Sequence, residues 1–97
     1  MRIIAKRTLR ESWEKHKDAA GALKAWHADV KARRWSSPTD VTKDYPRASI
    51  VANNRVVFNI VGNNYRLIVA IKYERGLIFI RFVGTHQEYD KVDAATI

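Results

Sequence analysis

The chain contains no cysteine. That excludes disulfides, thiol nucleophiles and cysteine-based zinc sites, and it fits a reducing compartment. Acidic residues are also scarce: 10 Asp+Glu stand against 18 Lys+Arg, a formal charge of +8 on 97 residues. An excess of this size points to a polyanion or an acidic partner and says nothing about fold. No stretch approaches the ~18–20 consecutive apolar residues of a membrane span. Met1-Arg2-Ile3-Ile4-Ala5-Lys6 is followed by no apolar core of the signal-peptide kind, so the expected location is cytoplasmic. Neither a Ser/His/Asp hydrolase elbow nor a glycine-rich phosphate loop is present. Glu11 and Glu14, and Asp40 and Asp44, are helix-spaced, but neither pair has a histidine three or four residues away to complete a metal-ligand spacing. No metal and no cofactor is therefore expected.

What is present suffices for a modest core. The hydrophobic fraction is 46%, with three tryptophans, and a chain of this length buries only about 60–65% of its unfolded surface. Residues 1–46 are charged and helix-like, whereas residues 47–84 are β-branched and strand-like. No linker parts them, which predicts one α+β domain over 1–97. Arg2-Ile3-Ile4-Ala5 fits an opening strand. Leu9, Trp13 and His16 recur at helical spacing, with Thr8 and Glu11 as a capping box. A second helix is expected from Asp18 to Arg34, its apolar stripe formed by Ala19, Leu23, Trp26 and Val30, with His27 beside it. Lys17, Lys24, Lys31, Arg33 and Arg34 lie mostly off the stripe, as a solvated face would. Ser37-Pro38 opens a short helix through Val41 that ends before Pro46. Strands follow at Arg47–Val51, Arg55–Val61, Tyr65–Lys72 and Leu77–Val83, separated by turns at Asn53-Asn54, Gly62-Asn63-Asn64 and Tyr73-Glu74-Arg75-Gly76. The expected architecture is two N-terminal helices packed on a mainly antiparallel sheet of four to five strands, with a short C-terminal helix or tail.

Strand side chains alternate between faces. A turn at 73–76 sets Lys72 opposite Leu77, Arg81 opposite Ile68 and Val83 opposite Arg66; a tight turn at Asn63-Asn64 sets Asn59 opposite Ile68. One face then carries Val56, Phe58, Ile60, Tyr65, Leu67, Val69, Ile71, Ile78, Ile80 and Phe82, and the helices must cover it. The other carries Arg55, Asn59, Arg66 and Arg81, with Arg66, Arg81 and Asn59 converging around Ile68. Two neighbouring arginines repel unless an anion lies between them. A phosphate suits their two-pronged donors; a carboxylate from Glu88 or Asp90 would serve as well.

Beyond the last strand lies the densest run of reactive side chains, Gly84-Thr85-His86-Gln87-Glu88-Tyr89-Asp90-Lys91. His86 moves protons near neutral pH. Tyr89 stacks on bases or donates a hydroxyl. Asp90 can orient a histidine, and Lys91 can pair with phosphate. Thr85 and Glu88 also form a capping box, so a plain helix start with polar first-turn residues explains the same run. His16 and His27 have no partner at metal-ligand spacing, and a packing role fits His16.

The combination Phe58-Asn59-Ile60, Asn64-Tyr65-Arg66-Leu67 and Thr85-His86-Gln87-Glu88-Tyr89-Asp90, behind two helices, resembles the HigB family of the RelE-like toxins over essentially the whole chain. The resemblance implies a toxin of a type II toxin–antitoxin pair that cleaves messenger RNA, commonly on the translating ribosome, without metal. It also implies a helix-turn-helix antitoxin of the HigA kind as partner, the complex binding operator DNA. In that chemistry the ribose 2′-hydroxyl attacks the adjacent phosphate and leaves a 2′,3′-cyclic phosphate. Arg66 matches an arginine that holds the scissile phosphate. His86 stands where the family has a basic residue, for general acid or base work, and Tyr89 matches a C-terminal tyrosine. Arg55, Asn59, Arg81, Asp90 and Lys91 are supporting RNA- and phosphate-binding candidates. RelE has lysines on the strand before Tyr-Arg-Leu, where this chain has Val57 and Asn59, and that shifts the proton work to His86. A non-catalytic module that only docks RNA or an antitoxin, and a ribonuclease acting on transfer RNA, are the competing readings.

Overall fold

A computed structural model describes residues 1–97. The elements run β1 (Arg2–Ile4), α1 (Lys6–Lys15), α2 (Lys17–Lys31), α3 (Pro38–Asp44), β2 (Ser49–Val51), β3 (Arg55–Ile60), β4 (Tyr65–Lys72), a 3₁₀ turn at Tyr73–Arg75, β5 (Leu77–Thr85) and α4 (His86–Tyr89). The five strands form one sheet in the order β1-β5-β4-β3-β2. β1 runs parallel to β5, and every other pairing is antiparallel. The α+β architecture is the one the sequence predicts. No helix is long and apolar enough to cross a membrane.

The helical half forms where its pattern says, with different ends. All four residues of the α2 stripe, Ala19, Leu23, Trp26 and Val30, are buried. α1 begins two residues before the expected Thr8 cap, after Ala5 in the left-handed region, and no side chain caps it. His16 ends α1 and precedes α2, its ring 4.9 Å from that of Tyr65. α2 stops at Lys31 rather than Arg34. Extended Ser37 followed by Pro38 starts α3, where the Ser36 N–H donates to Asp40 at 2.8 Å. Trp26, Trp35 and Tyr45 surround Phe58 at ring separations of 5.4, 6.2 and 5.2 Å, joining the helices to the sheet. Leu67, Val69, Ile71, Ile78 and Ile80 complete that core.

The sheet corrects four expectations, each through chain geometry. The β3–β4 connection is the four residues Val61–Asn64, so Ile60 faces Tyr65 and Asn59 faces Arg66, not Ile68. The shift from the expected register is an even number of residues, which leaves every side chain on its expected face. The turn at 73–76 does set Lys72 opposite Leu77, and β4 and β5 stay in step as far as Val69 and Ile80. A bulge follows: Ile68 pairs with Phe82, and Arg81 is the extra residue. One inserted residue exchanges the faces beyond it. Phe82 therefore leaves the helix-covered face and Val83 joins the core. Arg66 faces Gly84 rather than Val83, and Arg81 is not opposite Ile68.

The face away from the helices is thus built in rows across three strands: Asn59–Arg66–Gly84, then Val57–Ile68–Phe82, then Arg55–Ala70–Phe79. Val57 and Ile68 are buried even here. The chain after β5 folds back over this face: α4 packs on β4 and β5, Asn53 Nδ2 donates to the Ala95 carbonyl at 2.9 Å, and Arg55 Nε and Nη2 donate to the Ile97 main-chain oxygen at 3.1 and 2.8 Å.

Candidate active site

The first of these rows and α4 together form the candidate site. β3 and β5 flank Arg66 with Asn59 on one side and Gly84 on the other. Gly84 is required by what lies over it. A Cβ there would sit 2.6 Å from Phe82 Cζ and 3.2 Å from a Glu88 carboxylate oxygen. A bare backbone at this point lets Phe82 and α4 close down beside Arg66.

α4 is short and is held by the capping box its sequence predicts. The Glu88 N–H donates to Thr85 Oγ1 at 3.2 Å, and the Thr85 N–H donates to Glu88 Oε1 at 2.9 Å. The Thr85 N–H, and after it the Thr85 hydroxyl, hydrogen-bond the Glu88 carboxyl and hold it below its usual range, aided by Lys15 and His16 against a smaller opposing effect of burial. The His86 N–H donates to the Asn64 carbonyl at 3.1 Å, tying α4 to the β3–β4 turn.

Arg66 Nη1 donates to the Asn63 carbonyl at 2.7 Å and to its neighbour Tyr65 at 3.3 Å. Its guanidinium carbon lies 5.5 Å from the Tyr89 ring centroid, within cation–π range. Nε and Nη2 donate to no protein acceptor. His86 Nδ1 stands 3.2 Å from Asp90 Oδ2, with both side chains about half exposed, at 51% and 58%. With Nδ1 turned to a carboxylate, Nε2 is the ring atom left to exchange a proton. Asn59 Nδ2 makes only a long contact of 3.4 Å with Asn63 Oδ1. Chemically the arrangement offers a fixed cation with unused donors, an aromatic face and a histidine–carboxylate pair, carried on one strand, β4, and one helical turn with its C-cap.

The structure therefore brings Arg66, Asn59, His86, Tyr89 and Asp90 to one end of the face. Lys91 follows them, exposed on the turn after α4. Arg55 and Arg81 are not part of this group: Arg55 lies in the row of Ala70 and Phe79, and Arg81 projects from the bulge, exposed. The expected meeting of Arg66 with Arg81 is replaced by that of Arg66 with Tyr89. No acidic side chain forms an ion pair with Arg66. Gly84, Phe82 and Glu88 frame the candidate site: Glu88 was expected only as a cap or a counter-charge, Gly84 only as the start of the segment, and Phe82 on the opposite face. A glycine beside the end of a β-branched run is the signal that could have marked the first of them.

A model of the HigB toxin family, described as the RelE-like toxic component of a toxin–antitoxin system, matches residues 19–92. The chain is 29% identical over 94 residues to the mRNA interferase HigB of Escherichia coli (strain CFT073), covering 95% of this chain and 91% of that protein. It is 26% identical over 92 residues to the mRNA interferase HigB of Shigella flexneri, covering 93% and 88%.

Proposed function

From the premise that the chain belongs to the HigB family of RelE-like toxins, we propose that it is a metal-independent endoribonuclease that cuts messenger RNA as the toxic half of a toxin–antitoxin pair. The observation that carries this reading is Arg66: it is fixed by a carbonyl and an aromatic ring, keeps Nε and Nη2 uncommitted, and lies against the helical turn that bears His86.

Each side chain then has a task. Arg66 grips the scissile phosphate and stabilises the charge that builds on it as the 2′-hydroxyl attacks. Donors set in place before the reaction are worth about 3–4 kcal/mol. His86 Nε2 exchanges the proton, taking it from the 2′-hydroxyl or delivering it to the departing 5′-oxygen, and Asp90 holds the ring in orientation. Tyr89 stacks on a base next to the cut, and Asn59 and Lys91 add contacts to base and backbone. Val57 and Asn59 occupy the strand where RelE has lysines; Val57 is buried and Asn59 carries no exchangeable charge, which leaves proton transfer to His86. The reading extends to cleavage on the translating ribosome, neutralisation by a helix-turn-helix antitoxin of the HigA kind, and operator binding by the pair.

The test is cleavage of a messenger RNA by the purified chain, with and without ribosomes, in chelator. The wild type is expected to cut and to leave 2′,3′-cyclic ends. Arg66→Ala and His86→Ala are each expected to lower the rate by roughly 10²–10³. A wild type that binds RNA without cutting it replaces this reading with a docking module, and variants that cut as the wild type does refute the site.

A further inference from the structure

The second cationic group on the same face lies outside the candidate active site. Arg55, Ala70 and Phe79 form one row across β3, β4 and β5, with Lys72 one row further on and Arg81 at the bulge. They line a recess of about 310 Å³, within the size range of small-ligand pockets. Ala70 at its floor leaves the space open. No acidic side chain lines the recess, and neither Lys72 nor Arg81 is in an ion pair, whereas Arg55 is held by the Ile97 main-chain oxygen and the Asn53 carbonyl. Lys72 and Arg81 are exposed, and Lys72 Nζ lies 5.9 Å from the Phe79 ring centroid.

Like charges gathered without a counter-charge weaken a sheet. Nothing in the packing demands them here, because the core lies on the opposite face. Arg55 is already satisfied, Nε and Nη2 by the Ile97 oxygen and Nη1 by the Asn53 carbonyl, so Lys72 and Arg81 are the cations left to meet an anion. Arg66 and Ala70 are four residues apart on β4, so recess and active site are separated by roughly 13 Å along one strand.

We propose that Lys72 and Arg81 make this recess a second phosphate-binding subsite, which holds the RNA backbone at a nucleotide flanking the bond that is cut. This rests on the reading of the chain as a ribonuclease. The active site alone grips the scissile phosphate, and the recess makes the enzyme favour a strand long enough to reach both.

Binding and cleavage of a trinucleotide and of a longer RNA containing the same cut sequence test this. Binding is measured with the attacking 2′-hydroxyl removed, so that nothing turns over. The wild type should bind and cut the longer strand better. A Lys72→Ala/Arg81→Ala variant should lose most of that length advantage while handling the trinucleotide as the wild type does. The slope of log affinity for the longer strand against log salt should shrink by about 0.7 for each phosphate no longer held. Lys17→Ala/Lys43→Ala removes the same charge from the helical side and should keep the length advantage. Arg81→Lys should retain more of it than Arg81→Ala. A Lys72→Ala/Arg81→Ala variant that melts like the wild type yet keeps the full length advantage overturns the subsite. The subsite is also overturned if that variant loses affinity for ribosomes alone, because the recess then docks ribosomal RNA. A wild type that cuts neither strand defeats the ribonuclease reading itself, a result separable from the other two.

Discussion

Single residues decide how closely the site can be assembled. Gly84 is the sharpest case. Gly84→Ala forces the Phe82 ring and the Glu88 carboxylate aside, and overpacking of this kind costs about 1–3 kcal/mol. A thermal melt should fall by roughly 4–8 °C per kcal/mol for a chain of this size, and cleavage should fall with it. Val61 makes the opposite case. It holds φ 53° in the β3–β4 turn, a left-handed backbone that a β-branched residue tolerates poorly, and it is 37% exposed. Val61→Gly should therefore stabilise the chain by about 1 kcal/mol, visible as a raised urea midpoint. His27 provides a pH signature. Desolvation, then Lys6 and Lys31, hold its pKa below 6.5. The folded state favours the neutral ring, so that stabilisation is complete above 6.5 and is lost as pH falls through the lower folded value. In His27→Gln this acid-side loss should disappear from urea titrations run from neutral pH downward.

At the scale of elements, α4 depends on its cap more than on packing, because none of its four residues is buried. Thr85→Ala or Glu88→Ala should cost about 1 kcal/mol. Either change should also lower the cleavage rate, since α4 carries His86 and Tyr89. Glu88 sits below its ordinary value of 4.5, so the cap is intact above that pH and fades as pH drops through the folded value. Unfolding curves of Glu88→Gln should lack that acid-range step. The elements also show what periodicity could and could not convey. The α2 stripe was legible because four apolar residues on one helical face have only one way to be buried. β4 was legible from end to end, and so was the turn that sets Lys72 against Leu77. The bulge was not: alternation along Ile78, Ile80 and Phe82 continues unbroken in the sequence, and only pairing with β4 reveals that Arg81 is the extra residue. The start of α1 was hidden for a similar reason, since Ala5 takes a left-handed backbone that no side chain announces. His86, Asp90 and the Thr85 cap were readable as neighbours in sequence. The company of Arg66 with Gly84 and Tyr89 depended on the register.

For the whole molecule, one core between helices and sheet carries the stability. Leu23 is fully buried in it, and Leu23→Ala should remove about 2–5 kcal/mol from a total on the order of 5–15, measured by urea unfolding. The parallel pairing of β1 with β5 adds a constraint of timing. Arg2–Ile4 meets Leu77–Phe79, so the first strand to leave a ribosome waits for nearly the last. Contacts this distant in the chain close late and slow folding. Arg66, Gly84 and His86 likewise meet only once β5 has been made and docked. A chain still being synthesised thus lacks both its outermost parallel strand pairing and the company of Arg66 with Gly84 and His86 until β5 has emerged.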